Sequence, residues 1–230
     1  MIKSFLITVS FSTLLFASQQ IVLVVADDFN SSHAKLECYE GSKVLCKDID
    51  VNLGKNGLGW GIGIKKIPHA ADEPLKEEGD KKAPAGIFKL TDAFGYAHKT
   101  NTKLPYLYAA KETICVDESS SPFYNQIIQA HGDEKSFEHM RRKDDQYKIG
   151  IVVAHNPHAK PQSGSCIFMH IQKAPNSPTV GCTSMKESDL RKIVTWLDKK
   201  KNPILIQIPK KYAGEIKKEY PVLKDSKLLK

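Results

Sequence analysis

Apolar positions in this chain come mostly in short runs of strand length separated by polar turns, which is the pattern of a sheet-forming sequence. Ile21 to Val25 opens the series, and from there to Val51 short apolar segments alternate with turn residues. Ile87 to Leu90, Ile149 to Ala154, Ser165 to Ile171 and Pro203 to Ile208 are further runs of the same kind. The period changes once. Leu190, Ile193, Val194 and Leu197 recur at i, i+3, i+4 and i+7, which predicts a helix with one apolar face between the last two strands. Ser184-Met185-Lys186-Glu187 has the spacing of a capping box at its start, and Lys199, Lys200 and Lys201 carry the charge favoured at its end. A short helix is also expected around Lys135 to Arg142. The sum is a mainly β domain with one docked helix.

Two segments depart from this alternation. Gly54 to Gly63 is glycine-rich, but no Lys-Ser or Lys-Thr pair and no amphipathic helix follow it, so it reads as a mobile or close-packed strand segment and not as a phosphate loop. At the N-terminus, Lys3, the apolar stretch Phe5 to Phe16 and the small residues Ala17 and Ser18 read as a cleaved secretory signal. That apolar stretch is shorter than the roughly 20 residues that span a bilayer, so no transmembrane anchor is expected once the signal is removed. The resulting division is residues 1–18 as signal, 19–209 as one domain and 210–230 as a basic tail lying as a solvated surface segment. No internal repeat or domain-sized linker interrupts it.

Composition narrows the class further. Lys and Arg outnumber Asp and Glu by 34 to 26, with both signs interspersed, which excludes a disordered or low-complexity chain. Five cysteines in an exported chain leave at least one thiol outside any internal disulfide. Cys38 and Cys46 bracket the turn Glu40-Gly41-Ser42, where a local disulfide and two unpaired strand cysteines are equal readings. The pairs Cys38/Cys46, His155/His158 and Cys166/His170 lack the paired short spacings of a structural zinc site, and no metal or other cofactor is expected.

Cys182 is the candidate nucleophile. It precedes the predicted N-cap Ser184 by two residues, where unpaired amides and the helix dipole favour a thiolate. Gly181 permits a tight turn, and amides from Gly181 to Thr183 could converge on a developing oxyanion. His170 ends the strand beginning at Ser165, and the loop Lys173 to Val180 is long enough to bring Cys182 back to it as partner to a base. Cys166 stands about 13 Å from His170 along that strand, too far for proton transfer, and reads as a small buried hydrophobe or a disulfide partner. From the residues alone, a packed cysteine and a packed histidine compete with this catalytic reading.

Gly164-Ser165-Cys166-Ile167-Phe168-Met169-His170 followed by Pro178-Thr179-Val180-Gly181-Cys182-Thr183-Ser184-Met185 resembles the core of the YkuD-type L,D-transpeptidase family, whose signature places a His ahead of Ser/Thr-x-Gly-Cys. Gly54 to Gly59, Glu77 to Asp80 with Pro84 to Gly86, Asp117 with Tyr124-Asn125, and Asn156 extend the likeness from about Gln20 to Ile208. Val180 and Ser184 stand where many members carry a His and an Arg, so the carboxylate-binding role of that Arg does not carry over; a lysine or Arg191 would have to serve. The resemblance implies a β-sandwich-like enzyme acting on peptidoglycan stem peptides in the periplasm or wall. In it Cys182 attacks the carbonyl of the third residue of a tetrapeptide, His170 moves the proton, D-Ala leaves, and an amine or water resolves the thioester. It also implies covalent inhibition by carbapenems. An L,D-carboxypeptidase on the same residues and a non-catalytic wall-binding module are the rival readings. The net charge of +8 suits an anionic wall polymer better than nucleic acid.

Overall fold

The computed structural model describes residues 19–230, so the expected signal segment 1–18 lies outside the described residues. Its elements are β1 (Gln20–Ala26), β2 (His33–Glu40), β3 (Lys43–Asn52), β4 (Leu58–Trp60), β5 (Ala83–Gly95), β6 (Tyr106–Tyr108), β7 (Thr113–Val116), β8 (Ile127–Gln129), β9 (Phe137–His139), β10 (Ile149–Val153), β11 (Phe168–Ile171), β12 (Thr183–Met185), α1 (Glu187–Trp196), β13 (Ile204–Pro209) and α2 (Ala213–Glu219). The chain is mainly β, as its short apolar runs predict. No helix among the described residues is long and apolar enough to cross a membrane.

The large sheet runs β10-β11-β12-β3-β2-β1-β13-β5-β4, with β6 also on β5. The long strand β5 closes this path. Its first half pairs with β13 at Gly86 to Lys89, and its second half pairs with β10 at Leu90 to Gly95. The β-branched run of β1 is buried along its whole length because β2 and β13 flank it on both edges, and α1 buries Leu190, Ile193 and Val194. A second, small sheet of order β8-β7-β9 stands apart from the first.

Several local expectations are corrected here. Lys135 to Arg142 is not helical: Phe137 to His139 form β9, paired antiparallel with β7, and a tertiary partner overrides a weak local preference. The capping box does not form. Thr183 to Met185 are drawn into the sheet beside β11, the N-cap is Lys186 without a side-chain bond, and Glu187 pairs with Arg191 at 2.7 Å. The helix ends at Trp196, and Lys199 to Lys201 form a separate 3-10 turn capped by Asp198. The strand expected from Ser165 starts only at Phe168, because Cys166 has φ 54°.

The glycine-rich run resolves to the close-packed alternative. A Cβ on Gly57, where φ is +76°, would lie 1.9 Å from the Phe29 carbonyl oxygen. The tail is not a solvated segment. Residues 210–223 fold into α2 and two flanking 3-10 turns, and Tyr212, Ile216, Tyr220, Leu223 and Leu229 are buried in the main core. Glu73 accepts from the Tyr212 hydroxyl at 2.5 Å and from Lys211, and Ser226 donates to Glu37 at 2.6 Å, which pins both ends of the segment. Leu223 is fully buried, so Leu223→Ala is expected to lower stability by about 3 kcal/mol, measured by urea denaturation. A loss near zero would mean the tail is not part of the folded core.

Candidate active site

Cys182 lies in the turn that leads into β12, and four hydrogen bonds fix that turn. The Thr179 hydroxyl donates to the Cys182 carbonyl at 2.6 Å and accepts from the Gly181 N–H at 3.1 Å. The backbone of Thr179 is stitched to the glycine-rich segment through Leu53 and Lys55, each at 2.8 Å. Gly181 has φ +151°, a conformation that a side chain would disfavour. The close-packed glycines thus serve the site indirectly, as the surface on which the Cys182 turn is held.

The thiol is buried and is the free cysteine among the five. Its sulfur accepts the Phe168 N–H at 3.3 Å and faces the Cys166 carbonyl at 3.6 Å. Burial pushes the thiol up to about 12, the charge of Glu138 adds to this, and the Phe168 N–H, the Tyr147 hydroxyl and Lys76 oppose it. The expected depression by a helix N-terminus is absent because β12 intervenes and α1 begins only at Glu187.

His170 is buried on β11, opposite Ser184 of the parallel strand β12, so the sheet brings the two predicted residues onto neighbouring strands. Its Nδ1 lies 2.8 Å from the Ile171 carbonyl; only a protonated Nδ1 can donate there, which leaves Nε2 as the acceptor. Burial lowers its pKa to about 4, with a smaller push from Arg142. Among the described residues no hydrogen bond joins His170 to Cys182. Tyr147 stands next to both, edge-on to the imidazole at 5.2 Å and with its hydroxyl beside the sulfur. Both shifts favour a neutral thiol and a neutral imidazole.

The oxyanion candidates are already engaged in part. The Gly181 N–H is held by Thr179, while Thr183 lies opposite Met169 in the ladder and its hydroxyl donates to Gln207 at 2.7 Å.

Cys166 turns out to be bonded to Cys115, and Cys38 to Cys46, which settles both open readings. Two disulfides fit an oxidising compartment outside the cytoplasm. The scattered upstream segments converge on Ser165 and Cys166. Glu78 accepts from Ser165 at 2.7 Å and from Tyr124, and Asn125 accepts the Cys166 N–H at 2.9 Å while donating to the His155 and Asn156 carbonyls. Asn156 in turn binds the carbonyls of Lys160 and Gly164.

A cavity of about 230 Å³ opens onto Cys182 and is lined also by Lys76, Glu78, Lys81, Asp117, Glu138, Val180 and Gly181. Arg191 is not among them. It pairs with Glu187 and lines another depression beside Tyr96 and Lys148, which removes it as the stand-in for the family arginine. Lys76 is spent on Asp80 at 2.6 Å, whereas Lys81 is in no ion pair among the described residues. Sequence reasoning did not single out Glu138, which lines the cavity, or Tyr147, which packs against His170: neither lies in a motif, and Glu138 falls in the segment read as helix.

No curated protein and no solved structure matches this chain at a significant level. A family model does, that of the L,D-transpeptidase catalytic domain, over residues 21–206. The match spans both halves of the closed sheet together with Cys182 and His170, and by it the chain belongs to the YkuD family of cysteine-dependent, peptidoglycan-acting L,D-transpeptidase domains.

Proposed function

We propose that this protein is a peptidoglycan L,D-transpeptidase, exported to the periplasm or wall after removal of residues 1–18. The observation that carries the reading is a single free thiol lining a charged cavity, in the turn entering β12, the strand directly paired with the strand of His170. Cys182 attacks the carbonyl of the third residue of a tetrapeptide stem, and the thiol proton passes to Nε2 of His170 and then to the departing D-Ala amine. With a raised thiol and a lowered imidazole, a preformed ion pair is unfavourable, so proton transfer accompanies attack. Amides of Gly181 and Thr183 hold the oxyanion, the former by leaving the Thr179 hydroxyl. Lys81 is the cation for the substrate carboxylate. An amine of a neighbouring stem resolves the thioester and leaves a 3-3 cross-link.

The direct test is mass spectrometry of the products formed from a disaccharide tetrapeptide, with D-Ala assayed separately. Dimers together with free D-Ala are expected. Tripeptide with D-Ala but no dimer would make the protein an L,D-carboxypeptidase, and no D-Ala at all would leave a wall-binding module.

A further inference from the structure

One carboxylate of the Cys182 cavity exchanges no proton in the cysteine and histidine steps proposed above. Glu138 stands on β9 opposite Cys115 of β7, and its side chain lines the same cavity as Cys182. A carboxylate oxygen lies within 4.8 Å of the sulfurs of both Cys115 and Cys166, which sets it against the disulfide whose Cys166 carbonyl faces the nucleophile. The buried Tyr147 fixes it, donating to Oε2 at 2.9 Å while packing against His170. The charged and titratable groups that act on Glu138 are Asp117, Glu78, Arg142, Tyr147 and Cys182, with Lys76 and Lys81 on the cavity wall. The Arg142 guanidinium is held by Asp144 at 2.6 Å, and Glu138 is in no salt bridge among the described residues. Burial, reinforced by Asp117 and Glu78, lifts its carboxyl to about 7.

A carboxylate in no ion pair, lining the cavity of the sulfur that carries the acyl group, matches one reactant of the second half-reaction. An acceptor amine arrives protonated and positive; water does not. We propose that Glu138, positioned by Tyr147, binds and deprotonates the cationic amine acceptor and so directs the Cys182 thioester to transfer in preference to hydrolysis. This rests on the acyl-transfer reading above and adds to it the group that selects the acceptor. One proton of the ammonium moves to the Glu138 carboxylate, and the freed lone pair forms the C–N bond as the C–S bond breaks. A second proton passes from nitrogen through His170 to the sulfur, which restores the thiol and leaves a neutral amide.

The test uses the purified protein with disaccharide tetrapeptide as both donor and acceptor, reading kcat/KM for D-Ala release and the ratio of dimer to tripeptide. In Glu138→Gln the ratio should fall about tenfold or more, while D-Ala release should not fall, since the charge removed is one that raises the Cys182 thiol. In the native protein the ratio should fall as pH drops from about 8 to 6, as Glu138 protonates and loses its charge, and the Gln variant should show no such step. A variant with the native ratio at every pH overturns the proposal, as does a native protein that yields tripeptide alone. Loss of D-Ala release in a folded Glu138→Gln also overturns it, because the group would then serve the first half-reaction. If that variant does not fold, Glu138→Asp, which keeps the charge, must retain the pH step. A native protein that releases no D-Ala refutes the acyl-transfer reading itself, an outcome seen before any variant is made.

Discussion

Cys182→Ala is expected to reduce D-Ala release from a tetrapeptide stem on the order of 10³-fold or more. The loss is large because nothing in the cavity can substitute. The other four cysteines are consumed in two disulfides, and the Ser165 hydroxyl, the nearest alternative in the lining, is committed to Glu78. The fold should survive. The thiol makes weak contacts with the Phe168 N–H and the Cys166 carbonyl, so replacing it by hydrogen removes little packing and costs about 1–2 kcal/mol. Intact-protein mass provides the second readout: native protein held with substrate should gain the mass of an acyl group, and the variant should not. A folded Cys182→Ala protein with native release would place the chemistry at another residue and end the proposed mechanism.

The proposed nucleophile and base, Cys182 and His170, stand out in the sequence because both sit in one continuous stretch whose spacing is itself the signal. The strands β1, β10 and β13 were legible because a short run dominated by β-branched residues has few other uses, and α1 because four apolar residues keep helical period. What escaped is what depends on partners distant in sequence. The four-residue pattern from Ser184 to Glu187 satisfies a capping box locally, yet pairing of Thr183 to Met185 with Met169 to Ile171 decides the conformation. Glu138 becomes part of the site only because β9 pairs with β7 and a disulfide ties β7 to Cys166. The tail is instructive in another way. Tyr212, Ile216, Tyr220 and Leu223 carry helical spacing in plain view, but lysines between them dominate the average composition and suggest a solvated segment. Long lysine side chains can keep their ammonium groups in water while the opposite face is buried, so net charge was the wrong quantity to read there.

Removal of the Cys115–Cys166 disulfide is expected to destabilise the protein by about 4 kcal/mol, against about 2.5 kcal/mol for Cys38–Cys46. The difference follows from loop length, a separation of 51 residues in the first case and 8 in the second, since closing the longer loop removes more freedom from the unfolded chain. The two should differ in activity as well. Cys38–Cys46 lies within the β2–β3 hairpin, and neither residue lines the Cys182 cavity. The long disulfide ties the small sheet to the segment entering β11 and, with Asn125 on its N–H, holds Cys166 at φ 54° with its carbonyl toward the nucleophile. The double variant Cys115→Ala/Cys166→Ala should therefore lose about tenfold or more in kcat/KM for D-Ala release although no reacting atom is removed, while Cys38→Ala/Cys46→Ala keeps near-native activity. Urea denaturation and the release assay, run on both double variants under conditions where each is folded, check the two halves separately. Equal stability losses would show that loop closure is not the source of the stabilisation. Native activity in the Cys115/Cys166 variant would show that the Cys182 turn is positioned by Thr179 and the glycine-rich segment alone.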